Sequence, residues 1–486
     1  MNASDTSTDA LARLEVRIRQ NLALLGEPPD NWVPPRPEWD VDVAIVGAGQ
    51  SGLAVAFGLQ RAGIRNIQVL DAAPAGREGP WITWARMEVL RSPKEVPGPE
   101  LGMGELTFRA WHEASHGADA YSRFAKIAKD DWMAYLDWYR RMIQVPIRND
   151  TRVSLIEPLA GGGLRLSLET ASGVEHLPTR KLVLANGMDG AGGPQIPALM
   201  AHVERRFWAH SADEVDFERL RGRQVAVLGA ASSAFDNAAT ALERGAARVD
   251  LYCRSAHLTR VNRFKGASYP GTLDHFPDLP DDLKWRVMHD YFREATPPTR
   301  ETVQRCTRHG NFQLHLGSPW ERVAVVGEEL RIHTPGGEQR ADFAILGTGF
   351  ACDFRRRPEY RYFAEQVACW RDRYTPPPGL ENPTLGSFPY QGAGYQLLER
   401  EPGSAPWLAD IHGYFFASIP SLGRAAGETG SLKHGVPRLV NAIGRDLFLA
   451  DAALHVERML GFEEPELNDE EMAAVEGLYA RVGDPS

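Results

Sequence analysis

The residues best placed to do chemistry come in two glycine-centred groups. The first is Gly47-Ala48-Gly49-Gln50-Ser51-Gly52. Its spacing suits a dinucleotide diphosphate. Gly47 permits a tight turn, Gly49 lets the backbone approach the anion, and Gly52 lets a helix pack closely on a strand. Gln50 and Ser51 lie within the turn, where the helix N-terminus faces the diphosphate. Asp71 stands 19 positions beyond Gly52 (71 − 52), where an acid accepts the ribose hydroxyls. The second group, Gly229-Ala230-Ala231-Ser232-Ser233-Ala234, keeps only its first glycine. Tyr252-Cys253-Arg254-Ser255 follows at the end of the next strand, with no acid. A guanidinium forks onto a 2′-phosphate that an acid would repel, so Arg254 favours NADPH over NADH.

Both groups need a strand before them and a helix after. Residues 41–46 are an apolar strand broken only by Asp42; residues 53–62 read as a helix and 67–70 as a second strand. The same order returns at residues 224–228, 230–244 and 249–252. Short strands are expected at 153–156, 164–168, 182–184, 323–326, 330–333 and 343–346. Leu11, Leu14, Ile18, Leu22 and Leu25 recur at helical spacing, and Gly26 ends that helix. Residues 27–39, rich in proline and holding Trp32 and Trp39, read as an arm laid on a domain surface. One helix is expected in 270–300, at 282–294, and a last long one at 436–449.

Composition narrows the function further. The chain has 486 residues and a net charge of −10, enough for two or three domains. No basic stripe marks a nucleic-acid partner. The run Arg355-Arg356-Arg357 reads as a solvated loop. Cys253, Cys306, Cys352 and Cys369 form no C-x-x-C pair, so neither a metal centre nor a redox disulfide is expected. Unpatterned thiols suit a reducing cytoplasm. No apolar run approaches the ~20 residues of a membrane span, and the polar N-terminus, with Asp5 and Asp9, is unlike a signal peptide. The composition leaves a homo-oligomer open.

With two dinucleotide units in one chain, the sequence resembles the class B flavin-dependent monooxygenases, whose members are flavin-containing, N-hydroxylating or Baeyer–Villiger enzymes. The likeness extends through His210-Ser211, the stretch 217–227 leading into the second turn, Ser233 and Asp236, and Asp342-Phe343-Ala344-Ile345-Leu346-Gly347-Thr348-Gly349-Phe350. Residues 182–187 look like the earlier counterpart of that last signature. Leu90-Arg91-Ser92-Pro93-Lys94 and Leu106-Thr107-Phe108 are similar to the flavin-lining segment of amine N-hydroxylases. Three departures stand out: Glu204 and Arg206 replace Phe and Gly, no aromatic-proline ending follows His210, and Gly347 replaces the first Ala of Ala-Thr-Gly.

The resemblance implies an α/β fold with two Rossmann-like dinucleotide-binding domains: a discontinuous FAD domain, an inserted NADPH domain, and the helical arm before them. The expected segments are 1–39, 40–207, 208–340 and 341–486. It implies FAD at the first turn and NADPH at the second, with O2 and a small molecule as substrates. A C4a-(hydro)peroxide on the reduced flavin would oxygenate the substrate at nitrogen or sulfur. A Baeyer–Villiger reaction and a plain NADPH reductase are the alternatives. Trp81, in a Gly-x-Trp turn, is expected to wall the flavin. Arg91 and Lys94 are expected to hold an anionic ring or a substrate carboxylate, and His210 to act beside the second turn. Gly349 is expected at the return to the FAD domain. Gly430, in the small-residue stretch 423–431, is expected to present helix N–H groups to the flavin.

Overall fold

The computed structural model describes residues 3–476 and 478. The chain divides into two compact units, residues 1–443 and 444–486. The second carries the short helices Ala452–Leu460 and Asp469–Glu476.

Strand Val41–Val46 is buried along almost its whole length, as a central parallel strand must be. Its one charge, Asp42, lies 3.6 Å from Arg180 on the neighbouring strand. The strand pairs in parallel with Ile67–Leu70 on one side and with the far half of Gly173–Leu184 on the other. Ile147–Arg148 extends this sheet at one edge. Ile411–Gly413, from much later in the chain, adds in parallel to Gly173–Leu184. The near half of Gly173–Leu184 instead turns back antiparallel on Leu164–Thr170, which pairs with Arg152–Pro158.

A second sheet has the order Phe312–His315, Arg248–Tyr252, Gln224–Leu228, Phe343–Leu346, Trp208–His210, all parallel. The chain therefore leaves the first sheet, builds the second, and returns to supply Ile411–Gly413. Crossing back, it forms a two-stranded ribbon of Gly192–Pro194 with Phe350–Cys352. This is the discontinuous α/β arrangement expected, with one nucleotide unit inserted in the other. A three-stranded antiparallel sheet, Arg322–Val326, Glu329–Thr334 and Gly337–Ala341, flanks the second.

The N-terminal helix Ala3–Leu24 buries Leu14 and Ile18 and packs on helix Phe108–His116; each such side chain contributes about 1.5–3 kcal/mol. The arm after it lies on the surface as expected: Trp32 Nε1 donates to Ala62 O at 2.8 Å and Trp39 Nε1 to Gly162 O at 3.3 Å. Several expected helix bounds need correction. Helix Gln50–Arg61 begins inside the first glycine turn, not at residue 53. The helix expected at 282–294 is present as Asp281–Phe292, and two further helices, Pro270–His275 and Arg300–Thr307, flank it. The last long helix is Thr429–Ala450, beginning two turns before residue 436 with Pro437 inside it. Proline removes an N–H and crowds the preceding turn, so it reads as a helix start. Here Ser431, Leu432, Gly435, Val436 and Leu439 form a buried face on either side of it, while Pro437 itself is exposed, and packing carries the helix through.

Candidate active site

The first turn is built as its glycines require. Gly47 has φ +105°, and a Cβ there would stand 2.5 Å from Ala185 O. A Cβ on Gly52 would lie 1.7 Å from Gly47 O, so no side chain is possible. The N-cap of helix Gln50–Arg61 is Gly49, which offers no side-chain cap. The first-turn N–H groups, which have no intrahelical acceptor, are left at the edge of a cleft that Gly47, Gly49, Gln50 and Ser51 line. Asp71 lines the same cleft. Its Oδ2 accepts from Ala48 N–H at 2.7 Å and its Oδ1 from Ala73 N–H at 2.7 Å. Burial raises its pKa, against the pull of those two N–H groups. Each oxygen keeps a lone pair for a ribose hydroxyl.

Gln50 has a bridging part: its Nε2 donates to Gly427 O at 2.6 Å and its Oε1 accepts from Trp132 Nε1 at 3.0 Å. The stretch 423–431 is thereby drawn against the first turn. Gly430 sits within the opening turn of helix Thr429–Ala450, not in a loop before it, and lines the cleft with Thr429.

The second turn repeats the design with different residues. Gly229 has φ +134°, and a Cβ there would stand 2.3 Å from Gly347 O. Helix Ser232–Glu243 starts from Ala231, again with no side-chain cap. Ala234 holds the place of the third glycine. Its methyl is accommodated because residue 347 opposite has no side chain: a Cβ on Gly347 would lie 2.6 Å from Ala234 Cβ. The apparent defect at Ala234 and the departure at Gly347 are thus one compensated pair. Ser232 is buried, Ser233 half-buried and Arg254 exposed, and all three line the cleft. Gly349 lies where the chain crosses back; its carbonyl accepts from Gln195 N–H at 2.8 Å.

Between the turns runs a strap, residues 81–93. Trp81 meets Trp132 edge-on at 6.4 Å, and its carbonyl accepts from Lys129 Nζ at 3.0 Å. Trp81, Arg91 and Ser92 all face the cleft. Arg91 is held from the other side, by Asp236 Oδ2 at 3.3 Å. Two expected residues are not brought to the cleft. Lys94 turns away: its Nζ donates to the carbonyls of Tyr121 (2.7 Å) and Phe124 (2.6 Å) and lies 4.4 Å from the centre of the Tyr121 ring. Two carbonyls and a ring face hold a cation better than an open cleft wall does. His210 ends strand Trp208–His210 at 1% exposure, its Nδ1 accepting from Ala212 N–H at 3.1 Å, edge-on to Phe350. Burial depresses its pKa below the ordinary 6.5. It is a packed end-of-strand residue.

The cleft has a volume of about 3350 Å³, several times the ~300–1,000 Å³ of a single ligand pocket. Its far wall draws on residues 270–300 and 355–407, the two stretches where a substrate pocket is expected. Phe264, Tyr291, Phe292, Phe388 and Phe416 line it, linked ring to ring at 4.8–6.5 Å. Arg424 closes it: Nη1 donates to Phe264 O at 2.5 Å and to Ser268 Oγ at 3.1 Å, while Nη2 bonds Glu428. Of the aromatics in the long stretch 355–407, Trp370 and Tyr395 are core residues that pin it down, and Phe388 alone among Trp370, Tyr374, Phe388, Tyr390, Tyr395 and Trp407 reaches the cleft. Among the described residues no cluster of His, Cys, Asp or Glu could hold a metal ion, and no helix is long and apolar enough to cross a membrane.

Residues 44–284 match the pyridine nucleotide-disulphide oxidoreductase family. The chain is 41% identical over 461 residues to the FAD-dependent urate hydroxylase of Xanthomonas campestris, covering 94% of this chain and 97% of that protein. Ornithine hydroxylase from Pseudomonas aeruginosa has a similar structure, with a TM-score of 0.64 and 17% identity over 84% of this chain and 99% of the other. L-lysine 6-monooxygenase from Pseudomonas syringae matches with a TM-score of 0.64 and 18% identity over 83% and 99%. The extent of the match to the hydroxylase, together with two glycine turns opening on one cleft, establishes that this chain belongs to the class B flavin-dependent monooxygenases and is an oxidoreductase.

Proposed function

We propose that this protein is an FAD- and NADPH-dependent monooxygenase that uses O2 to hydroxylate a planar, nitrogen-rich heterocycle of the urate kind. The observation that carries the reading is the pair of uncapped helix N-termini, at Gln50 and Ser232, opening on one cleft. Each offers N–H donors and the positive end of a helix dipole to a diphosphate. Gly47, Gly49 and Ser51 would hold the FAD diphosphate, with Gly52 letting the helix pack behind them, and Asp71 would hold its ribose. Gly229, Ser232 and Ser233 would hold the NADPH diphosphate, and Arg254 its 2′-phosphate. Bound flavin supplies oxygen activation and NADPH the reducing equivalents.

The chain's own work is to bind, orient and exclude water. Trp81 walls the cleft near the first turn, and the helix end at Gly430 adds a positive dipole there. Arg91 places a cation on the strap between the two turns. The ring wall around Phe264, Tyr291 and Phe292 suits a flat substrate, since offset and edge contacts between rings add about 0.5–1.5 kcal/mol each. The urate hydroxylase relative supports this substrate class over a flexible amine. Four free thiols, three of them buried, suit a reducing compartment such as the cytoplasm.

The test is a coupled turnover assay. Flavin-loaded protein, NADPH and O2 should convert urate with one NADPH consumed per urate lost. NADPH consumption with peroxide release, urate being left intact, would refute the substrate; absence of a tightly bound flavin would refute the reading as a whole.

A further inference from the structure

The strap 81–93 touches both nucleotide units, and one side of it is fastened by a cluster that cofactor binding does not itself require. Arg305, on helix Arg300–Thr307, is only 4% exposed. Its guanidinium forks onto Glu243, Nε to Oε1 at 3.0 Å and Nη2 to Oε2 at 2.7 Å. Nη2 also donates to Thr240 Oγ1 at 3.3 Å. Nη1 donates to the backbone carbonyl of Arg86, in the strap, at 2.8 Å, and reaches Asp236 Oδ1 at 3.5 Å. Asp236 is itself 2% exposed and is shared: Thr302 Oγ1 donates to Oδ1 at 2.9 Å, and Arg91, from the strap, to Oδ2 at 3.3 Å.

Asp236, Thr240 and Glu243 all belong to helix Ser232–Glu243, the helix whose N-terminus opens the second turn. The other side of the strap is tied to the first unit. Leu90 N–H donates to Ile127 O at 2.7 Å, and Trp81 packs on Trp132, which bonds Gln50 of the first turn. A continuous chain of contacts therefore runs from the second turn, through one buried guanidinium, to the wall of the first.

We propose that Arg305, with Asp236 and Thr302, is a positioning device that couples nucleotide binding at the second turn to the strap beside the first, and so sets where Arg91 and Trp81 stand when both cofactors are bound. A buried ion pair contributes little net stability, so the role of this one is to hold the elements it joins in one arrangement. Removing Arg305 would leave Asp236 and Glu243 with fewer partners and free the strap carbonyl of Arg86. The inference rests on the reading that NADPH occupies the second turn.

The experiment is hydrogen–deuterium exchange on the flavin-loaded protein, with and without NADP⁺. In the native protein NADP⁺ should slow exchange in residues 229–236 and also in the strap, the latter by about tenfold. In Arg305→Met, NADP⁺ should still protect the turn while the strap loses its added protection; Arg305→Lys should restore part of it. Thr302→Val, a milder change that leaves the charges in place, should weaken the coupling in the same direction and serves if Arg305→Met does not fold. The spectrum of NADP⁺ bound beside the reduced flavin should weaken in parallel with the strap signal. Turn protection with an equally protected strap in the variants would overturn the coupling alone. No protection of the turn by NADP⁺ in the native protein would overturn the nucleotide assignment beneath it.

Discussion

Arg254 and Lys94 show how far a residue's type predicts its work. Both are cations expected at the cofactor cleft from the sequence. Arg254 stands two residues beyond strand Arg248–Tyr252, exposed at the cleft rim. Lys94 instead satisfies two carbonyls inside an aromatic cluster. Arg254→Gln should therefore weaken NADPH binding by about ten- to a hundredfold, the loss of a charge-assisted contact, and leave NADH where it was. Titration of the flavin-loaded protein with each nucleotide checks this, and an equal loss for both would remove Arg254 from the 2′-phosphate site.

At the scale of elements, the two βαβ units place their tightest contacts differently. In the first, Gly52 gives up its side chain; in the second, Ala234 keeps a methyl and Gly347 opposite gives up its own. Gly347→Ala should cost about 1–3 kcal/mol through overpacking. Adding Ala234→Gly should recover part of that, giving a coupling of about 1 kcal/mol between the two sites. Melting temperatures of the two single variants and the double measure it, and strictly additive losses would show that the pair does not compensate. The second motif looks eroded only when read along the chain, because its partner residue lies 113 positions later (347 − 234).

For the whole molecule, burial of titratable groups sets the response to acid. His210 and His112 are buried, and burial depresses both pKa values below 6.5. The unfolded chain takes up protons at these sites near pH 6.5 while the folded one resists. Their contribution is therefore full above 6.5 and is lost as pH falls toward the depressed folded values. Asp71 and Asp236, raised by burial, act in the opposite sense at lower pH. The melting temperature should fall between pH 7.5 and 5.5, and His210→Asn should flatten that fall. An unchanged slope would mean that His210 does not carry it.

Much of this was written locally. A glycine turn, the strand before it, the helix after it and the acid at residue 71 are short-range features, because backbone sterics and helix N-termini act over a few residues. The two nucleotide units could therefore be read from Gly47 to Asp71 and from Gly229 to Arg254. What the tertiary structure alone decided was how distant segments meet. Ile411–Gly413 completes a sheet begun at Val41, Arg305 reaches the carbonyl of Arg86, and Arg424 closes a ring wall built from Phe264 and Tyr291. None of these has a sequence period or spacing. Each follows from which surfaces are buried together once the second unit is folded into the first, and burial, unlike a turn, is a property of the assembled molecule.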